Sequence, residues 1–186
     1  FGKHIFQEGS IVIPGGVTYD DSYYAVKLQA TITVASTTYS VADYLSQYVG
    51  TVIEGGTSGV KARVVGYDVA TSTDPSTLYI KWISAGFDNI TTQFTNGEYL
   101  SSESVISTFA IDAVSAQLQL SDAVAIGSAA SVQEGVFFIR GLFVRAAAQS
   151  LVLEKYTNTP SYRVGFDIKE SLVAPEQEPD LLDNAQ

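Results

Sequence analysis

The sequence predicts an all-β, mainly antiparallel protein: a β-sandwich or hairpin platform carrying an inserted small SH3-like or OB-like barrel, with few short helices. Apolar, β-branched and aromatic residues recur in short alternating runs, the period of a half-buried strand. Turn signals separate these runs at Pro14-Gly15-Gly16, Glu54-Gly55-Gly56, Asp74-Pro75-Ser76 and Asn96-Gly97. The spacing between turns is too short for βαβ units.

Taken in order, the first element is the run Gln7-Glu8-Gly9-Ser10-Ile11-Val12-Ile13-Pro14-Gly15, followed by Tyr24-Ala25-Val26-Lys27-Leu28. Ser40-Val41-Ala42-Asp43 resembles a capping box, with Asp in place of Glu, and predicts a short helix to about Tyr48. A block from about Val49 to Ser101 then reads as four short strands joined by glycine turns, with Val60–Val65 and Leu78–Ile83 as its strand cores. It predicts a small barrel inserted at a loop of the outer domain, which loops tolerate. Ala110–Ala116 fits a turn of helix or a strand equally.

Gln133-Glu134-Gly135-Val136-Phe137-Phe138-Ile139-Arg140-Gly141 repeats the pattern of the opening run, and Leu151-Val152-Leu153 follows it. Each copy reads as strand, glycine turn, strand, which predicts a pseudo-symmetric pair of hairpins, with chance recurrence as the alternative. The most regular alternation is Tyr162-Arg163-Val164-Gly165-Phe166-Asp167-Ile168-Lys169, with its apolar side chains on one face. The last stretch, Val173 to Gln186, is acidic and Pro-rich and predicts an extended linker. The expected organisation is an outer domain of residues 1–48 plus 102–172, a barrel at 49–101 and a linker at 173–186.

Composition narrows the function. The chain has 186 residues, a formal charge of −10, one His and no Cys. Disulfides, thiolate metal sites and cysteine nucleophiles are thereby excluded. Phosphate backbones are poor partners for so acidic a chain, and no nucleic-acid binding is expected. No apolar run approaches the roughly 18–20 residues of a membrane-spanning helix, so no membrane insertion is expected. The start at Phe1-Gly2-Lys3 in place of Met gives the expectation of a fragment.

Few residues suggest chemistry. Glu8 and Glu134 hold equivalent places in the repeat and would be a carboxylate pair for glycoside hydrolysis if they faced each other. Solvated acids beside glycine turns are the simpler reading. Asp20, Asp21, Asp68 and Asp74 offer oxygen ligands but lack calcium-loop spacing, and turn chemistry explains them better. His4 has no partner for a metal site. No catalytic, cofactor or metal residue is therefore assigned. Aromatics anchor interfaces and stack on sugars, which makes Trp82, Phe87 and Phe94 candidate glycan or partner contacts. Residues 135–165 carry four bases against one acid, and 166–186 carry six acids against one base. Arg140, Arg145 and Arg163 are thus candidate interface residues, opposite Glu176, Glu178 and Asp180.

The stretch Glu134–Val144, with Gln149–Leu153 and Tyr156-Thr157-Asn158-Thr159-Pro160-Ser161-Tyr162-Arg163-Val164-Gly165, resembles a family of tailed-bacteriophage virion proteins. Its members are tail, tail-fibre or baseplate structural proteins carrying a domain of unknown function. Gln7 to Val17 and Tyr24–Leu28 fit the start of the same family. The inserted block, with its Gly-Thr-Val entry and Asn-Gly-Glu exit, is similar to small β-barrel modules of such proteins. The resemblance implies a non-enzymatic virion component without cofactor that links neighbouring tail proteins and forms a homo-oligomer, a trimer by analogy. The competing expectations are a module recognising a host surface glycan and, further off, a glycan hydrolase.

Overall fold

The computed structural model describes residues 5, 7, 9–13, 15–171, 173–174 and 176–177. The strands of the first half are β1 (Ile11–Ile13), β2 (Val17–Lys27), β3 (Thr31–Val34), β4 (Thr37–Ser40), β5 (Val52–Gly55), β6 (Lys61–Asp68) and β7 (Thr77–Ser84). Those of the second are β8 (Tyr99–Ser102), β9 (Val114–Gln117), β10 (Val124–Val132), β11 (Gly135–Ile139), β12 (Leu142–Ala146) and β13 (Gln149–Glu154). A 3-10 helix, Val41–Tyr48, follows β4. The strand pairings are antiparallel, so the all-β class expected from the alternation is what the chain adopts. Among the described residues no helix is long and apolar enough to cross a membrane.

The main sheet has the order β13-β10-β2-β7-β6-β5-β8-β9. Its far end curls back until Leu118, just past β9, bridges Leu28, just past β2. The amide of Gln29 donates to Gln117 O at 2.8 Å and that of Gln119 to Lys27 O at 2.9 Å, which closes a six-stranded ring from β2 to β9. Inward positions on alternating residues fill it: Val26, Leu28, Ile53, Ala62, Val64, Leu78, Ile80, Leu100, Ala116 and Leu118 are fully buried. Val41, Tyr44, Leu45 and Tyr48 of the 3-10 helix pack into the same core. Tyr44 Oη donates to Ser115 O at 2.8 Å and Tyr48 Oη to Ser115 Oγ at 2.7 Å, which ties the helix to β9 and satisfies both buried hydroxyls.

Several expectations need correction. The ring is not confined to 49–101: that block supplies β5 to β8, while β2 and β9 come from the flanking chain, so neither expected boundary coincides with an edge of the sheet. The helix stands where expected, but Ser40 makes no side-chain cap. Within Ala110–Ala116 the strand begins only at Val114, after a turn with Asp112 at φ 62°.

The repeated motifs do not form two hairpins. The second copy turns back through Arg140 and Gly141 at φ 50° and 87°, but onto β12; the expected run Leu151–Leu153 lies in β13 and pairs with β10. The first copy contributes β1, which pairs with β11 of the second, Ile11 opposite Phe137. Since β2 also pairs with β10, the two copies run side by side as one long ribbon from the ring to a three-stranded sheet β1-β11-β12. The ribbon bends at Gly15-Gly16 opposite Gln133, whose amide donates to Gly16 O at 2.8 Å. A Cβ on Gly135 would lie 2.8 Å from Gly15 Cα, so glycine here serves close approach. The run Tyr162–Lys169 carries no turn, bend or strand and belongs to no sheet.

Candidate interaction surface

The three-stranded sheet gathers exposed apolar side chains. Its short strands leave Ile11, Ile13, Leu142, Phe143 and Val144 exposed, Leu142 at 65%. Residues 158–171 continue from β13 without secondary structure and leave Tyr162, Val164, Phe166 and Ile168 exposed. Exposed apolar side chains that lie together on one surface mark a candidate interface.

Polar contacts join this region to its surroundings. Arg145 binds Glu134 Oε1 through Nη2 at 2.7 Å and Nε at 2.9 Å, and Arg140 pairs with Glu170. Tyr162 Oη donates to Glu154, and the ring of Phe166 meets that of Phe137 edge-on at 5.4 Å. Every ion-pair member here is more than half exposed, so each pair is worth at most about 1 kcal/mol. Arg163 and Glu176 are exposed and apart from these pairs; Glu178 and Asp180 lie outside the described residues. The acid that meets Arg140 is thus Glu170, which the sequence pattern did not single out.

The aromatic candidates separate. Phe94 is buried, and its ring packs edge-on against Trp82 at 5.0 Å, with Tyr24 on Trp82 at 5.4 Å. Packing consumes both Trp82 and Phe94. Phe87 alone is open, at 70%, with its ring over Gly59. The three form no common stacking face. His4 and Glu8 lie outside the described residues, and Glu134 is engaged by Arg145. Asp20 pairs with Lys81, and Asp68 and Asp74 share Lys155, at 2.9 and 3.6 Å.

A cleft of about 720 Å³ that the sequence did not announce lies between β6 and the stretch Ser150–Thr157. Tyr23 and Tyr79, 5.4 Å apart, line it with Tyr67 and Tyr156. Tyr79 Oη donates to Asp68 Oδ2 at 2.6 Å. Burial, then the hydrogen bond to Asp68, pushes the Tyr79 hydroxyl far above its ordinary value. Burial alone would raise Asp68, but hydrogen bonds from Tyr79 and Lys155 hold it below the usual carboxylate range. The Asp68 hydrogen bond raises Lys155 in turn. All three are displaced away from neutrality, the opposite of the tuning general acid–base catalysis requires. They clasp the segment after β13 to the ring.

A buried acid closes the ring's other side. Glu98, 4% exposed, accepts through Oε2 from the amides of Thr57 (3.1 Å) and Ser58 (2.9 Å). Its Oε1 accepts from Ser58 Oγ (3.0 Å) and the Thr95 amide (2.6 Å). The Asn-Gly-Glu exit is therefore a staple between two turns. No family model, no curated protein and no solved structure matches this chain.

Proposed function

We propose that the chain is a non-catalytic structural component of a bacteriophage tail or baseplate that links neighbouring tail proteins and works as an oligomer in the virion. One observation carries the docking part of this reading: a small sheet that leaves Ile11, Ile13, Leu142 and Phe143 in solvent, held on a ribbon that is continuous with a tightly closed ring. Interfaces are built from such patches. The tail assignment draws on the resemblance of residues 132–182 to tailed-phage virion proteins. The displaced protonation of Asp68, Tyr79 and Lys155 supports a holding rather than a reacting role for the tyrosine-lined cleft.

Mass spectrometry of purified tailed particles tests the assignment. The chain's peptides are expected at a fixed ratio to tail proteins, and their absence from particles made in cells that express the chain would overturn it. A second reading, recognition of a host surface glycan, is favoured by the tyrosine-lined cleft rather than by Trp82 or Phe94. Binding on an array of envelope glycans that Tyr67→Ala abolishes, with the fold intact, is its expected result; a blank array ends it.

A further inference from the structure

We propose that residues 161–169 of one copy add as a strand to the open edge of β12 in a second copy, so that neighbouring copies are joined by exchange of this segment. The proposal deepens the assembly reading by naming its partner, and rests on it in that respect.

The segment has the composition of a strand without the pairing of one. Tyr162, Val164, Phe166 and Ile168 alternate with Arg163, Gly165, Asp167 and Lys169, the sharpest period-two pattern in the chain. Among the described residues, 160–171 make no backbone–backbone hydrogen bond. Tyr162 is 63% exposed, and the other three apolar residues are 40–44% exposed. An alternating, unladdered segment is what donor-strand addition uses.

The acceptor lies close by. Among the described residues β12 is laddered on one side only, to β11. An edge open among the described residues, with Leu142 and Val144 exposed, is a template for a further strand. Within one chain the segment reaches the face of this sheet rather than its edge: Phe166 touches Phe137, and a gap of about 400 Å³ remains, lined by Phe137, Ile139, Val144, Phe166 and Ile168. The face contact leaves the segment's amides and carbonyls unladdered.

Register follows from chemistry. An antiparallel pairing with Ile168 opposite Leu142, Phe166 opposite Val144 and Val164 opposite Ala146 places every apolar residue of the segment on one face. That is the face where β11 already sets Ile139 and Phe137 beside Leu142 and Val144. The same register returns Glu170 to the vicinity of Arg140, the pair made within one chain. Charge selects the mode of contact. A basic stretch, 135–165, meets an acidic one, 166–186, when copies join head to tail, whereas like patches would repel. Head-to-tail contacts close into a ring or run on as a fibre.

The chain has no Cys, so disulfides can be placed at will. Chains carrying Val144→Cys alone and Phe166→Cys alone, distinguishable by mass, are mixed and oxidised. A covalent heterodimer is expected, and it can form only between copies. Val164→Pro and Gly165→Pro are tested separately by sedimentation velocity. Consecutive amides of a strand point to opposite sides, so one of the two faces the acceptor edge. That variant should weaken self-association roughly tenfold, the worth of about one ladder hydrogen bond. The segment forms no ladder within the chain, so circular dichroism of both should be unchanged. A monomer at every concentration overturns the proposal. So does an oligomer that forms without the 144–166 cross-link and is indifferent to both prolines. That second result leaves the tail assignment standing, since particle composition decides the latter independently.

Discussion

Replacing Glu98 separates a buried staple from a surface charge. Its two oxygens take three backbone amides and one hydroxyl from turns 40 residues apart in sequence. In Glu98→Ala the Ser58 hydroxyl can turn elsewhere, but the amides of Thr57, Ser58 and Thr95 lose their acceptor. At roughly 1–1.5 kcal/mol for each unsatisfied amide the loss is about 3–4 kcal/mol. For a domain of this size, that lowers Tm by about 6–16 °C. Glu98→Gln keeps the shape but must set an amide NH2 against a donor. In place of Oε2 it faces two amides; in place of Oε1 it faces only Thr95, at a cost of about 1–2 kcal/mol. Glu103→Ala is the control, because its pairing with Lys61 at 2.8 Å is exposed and worth under about 1 kcal/mol. Thermal melts followed by circular dichroism should show the largest loss for Glu98→Ala, a smaller one for Glu98→Gln and the least for Glu103→Ala. A Glu98→Gln melt that matches the parent, or a Glu98→Ala melt no worse than the control, would refute the staple.

Titration and glycine replacement probe other parts of the molecule. Burial, then the charge of Asp43, pushes Tyr44 up to about 12, and burial raises Tyr48 further despite its bond to Ser115. Raised pKa values give stability that is complete below the ordinary value near 10 and is lost as pH climbs through the folded values. Ultraviolet titration of the eleven tyrosines should therefore show a group that ionises only as structure is lost; smooth titration of all eleven near pH 10 contradicts it. Asp88 is held at about 2 by the amides of Ile90 and Thr91 and the Thr91 hydroxyl. Its local support is present above about pH 4 and fades as pH falls toward 2, which carboxyl NMR shifts should trace, with a midpoint near 4 as the contrary result. Gly135→Ala forces a Cβ onto the Gly15 backbone and should cost about 1–3 kcal/mol in a thermal or urea melt. Gly165→Ala meets nothing within 4 Å and should stay within about 0.5 kcal/mol in an isolated chain.

What the sequence disclosed was whatever depends on near neighbours. The alternations at 60–65 and 78–83 fall on β6 and β7 because side-chain period and turn glycines are local properties. The ring's closure was hidden, because Leu28 and Leu118 meet across 90 residues and nothing in either names the other. A block bounded by glycine turns looked self-contained for the same reason. Glu98 read as part of a turn, since its burial depends on the distant Thr57-Ser58 corner. The tyrosine cleft likewise needs Asp68, Tyr79 and Lys155, drawn from three separate stretches. Alternation misled only at 162–169, where it reports a capacity to pair that a single chain leaves unused.

That exception connects the two halves of the molecule. Inside the ring Tyr44 and Tyr48 are matched to Ser115, Glu98 to its turns and alternate residues to a closed core, while the buried Trp82 Nε1 has no partner among the described residues. At the other end, exposed ion pairs and the aromatic contacts Phe137–Phe166 and Phe138–Phe143 are among the contacts of a sheet of three short strands, an arrangement with little stability of its own. Strands β2 and β10 run from the closed core toward the bend, and their ribbon continues beyond it as β1 and β11. The platform is therefore held in place by covalent continuity and the ribbon's ladder more than by its own packing. Such a division suits a docking part: the ring supplies folding free energy, so the platform's apolar surface can remain uncovered until a neighbour covers it.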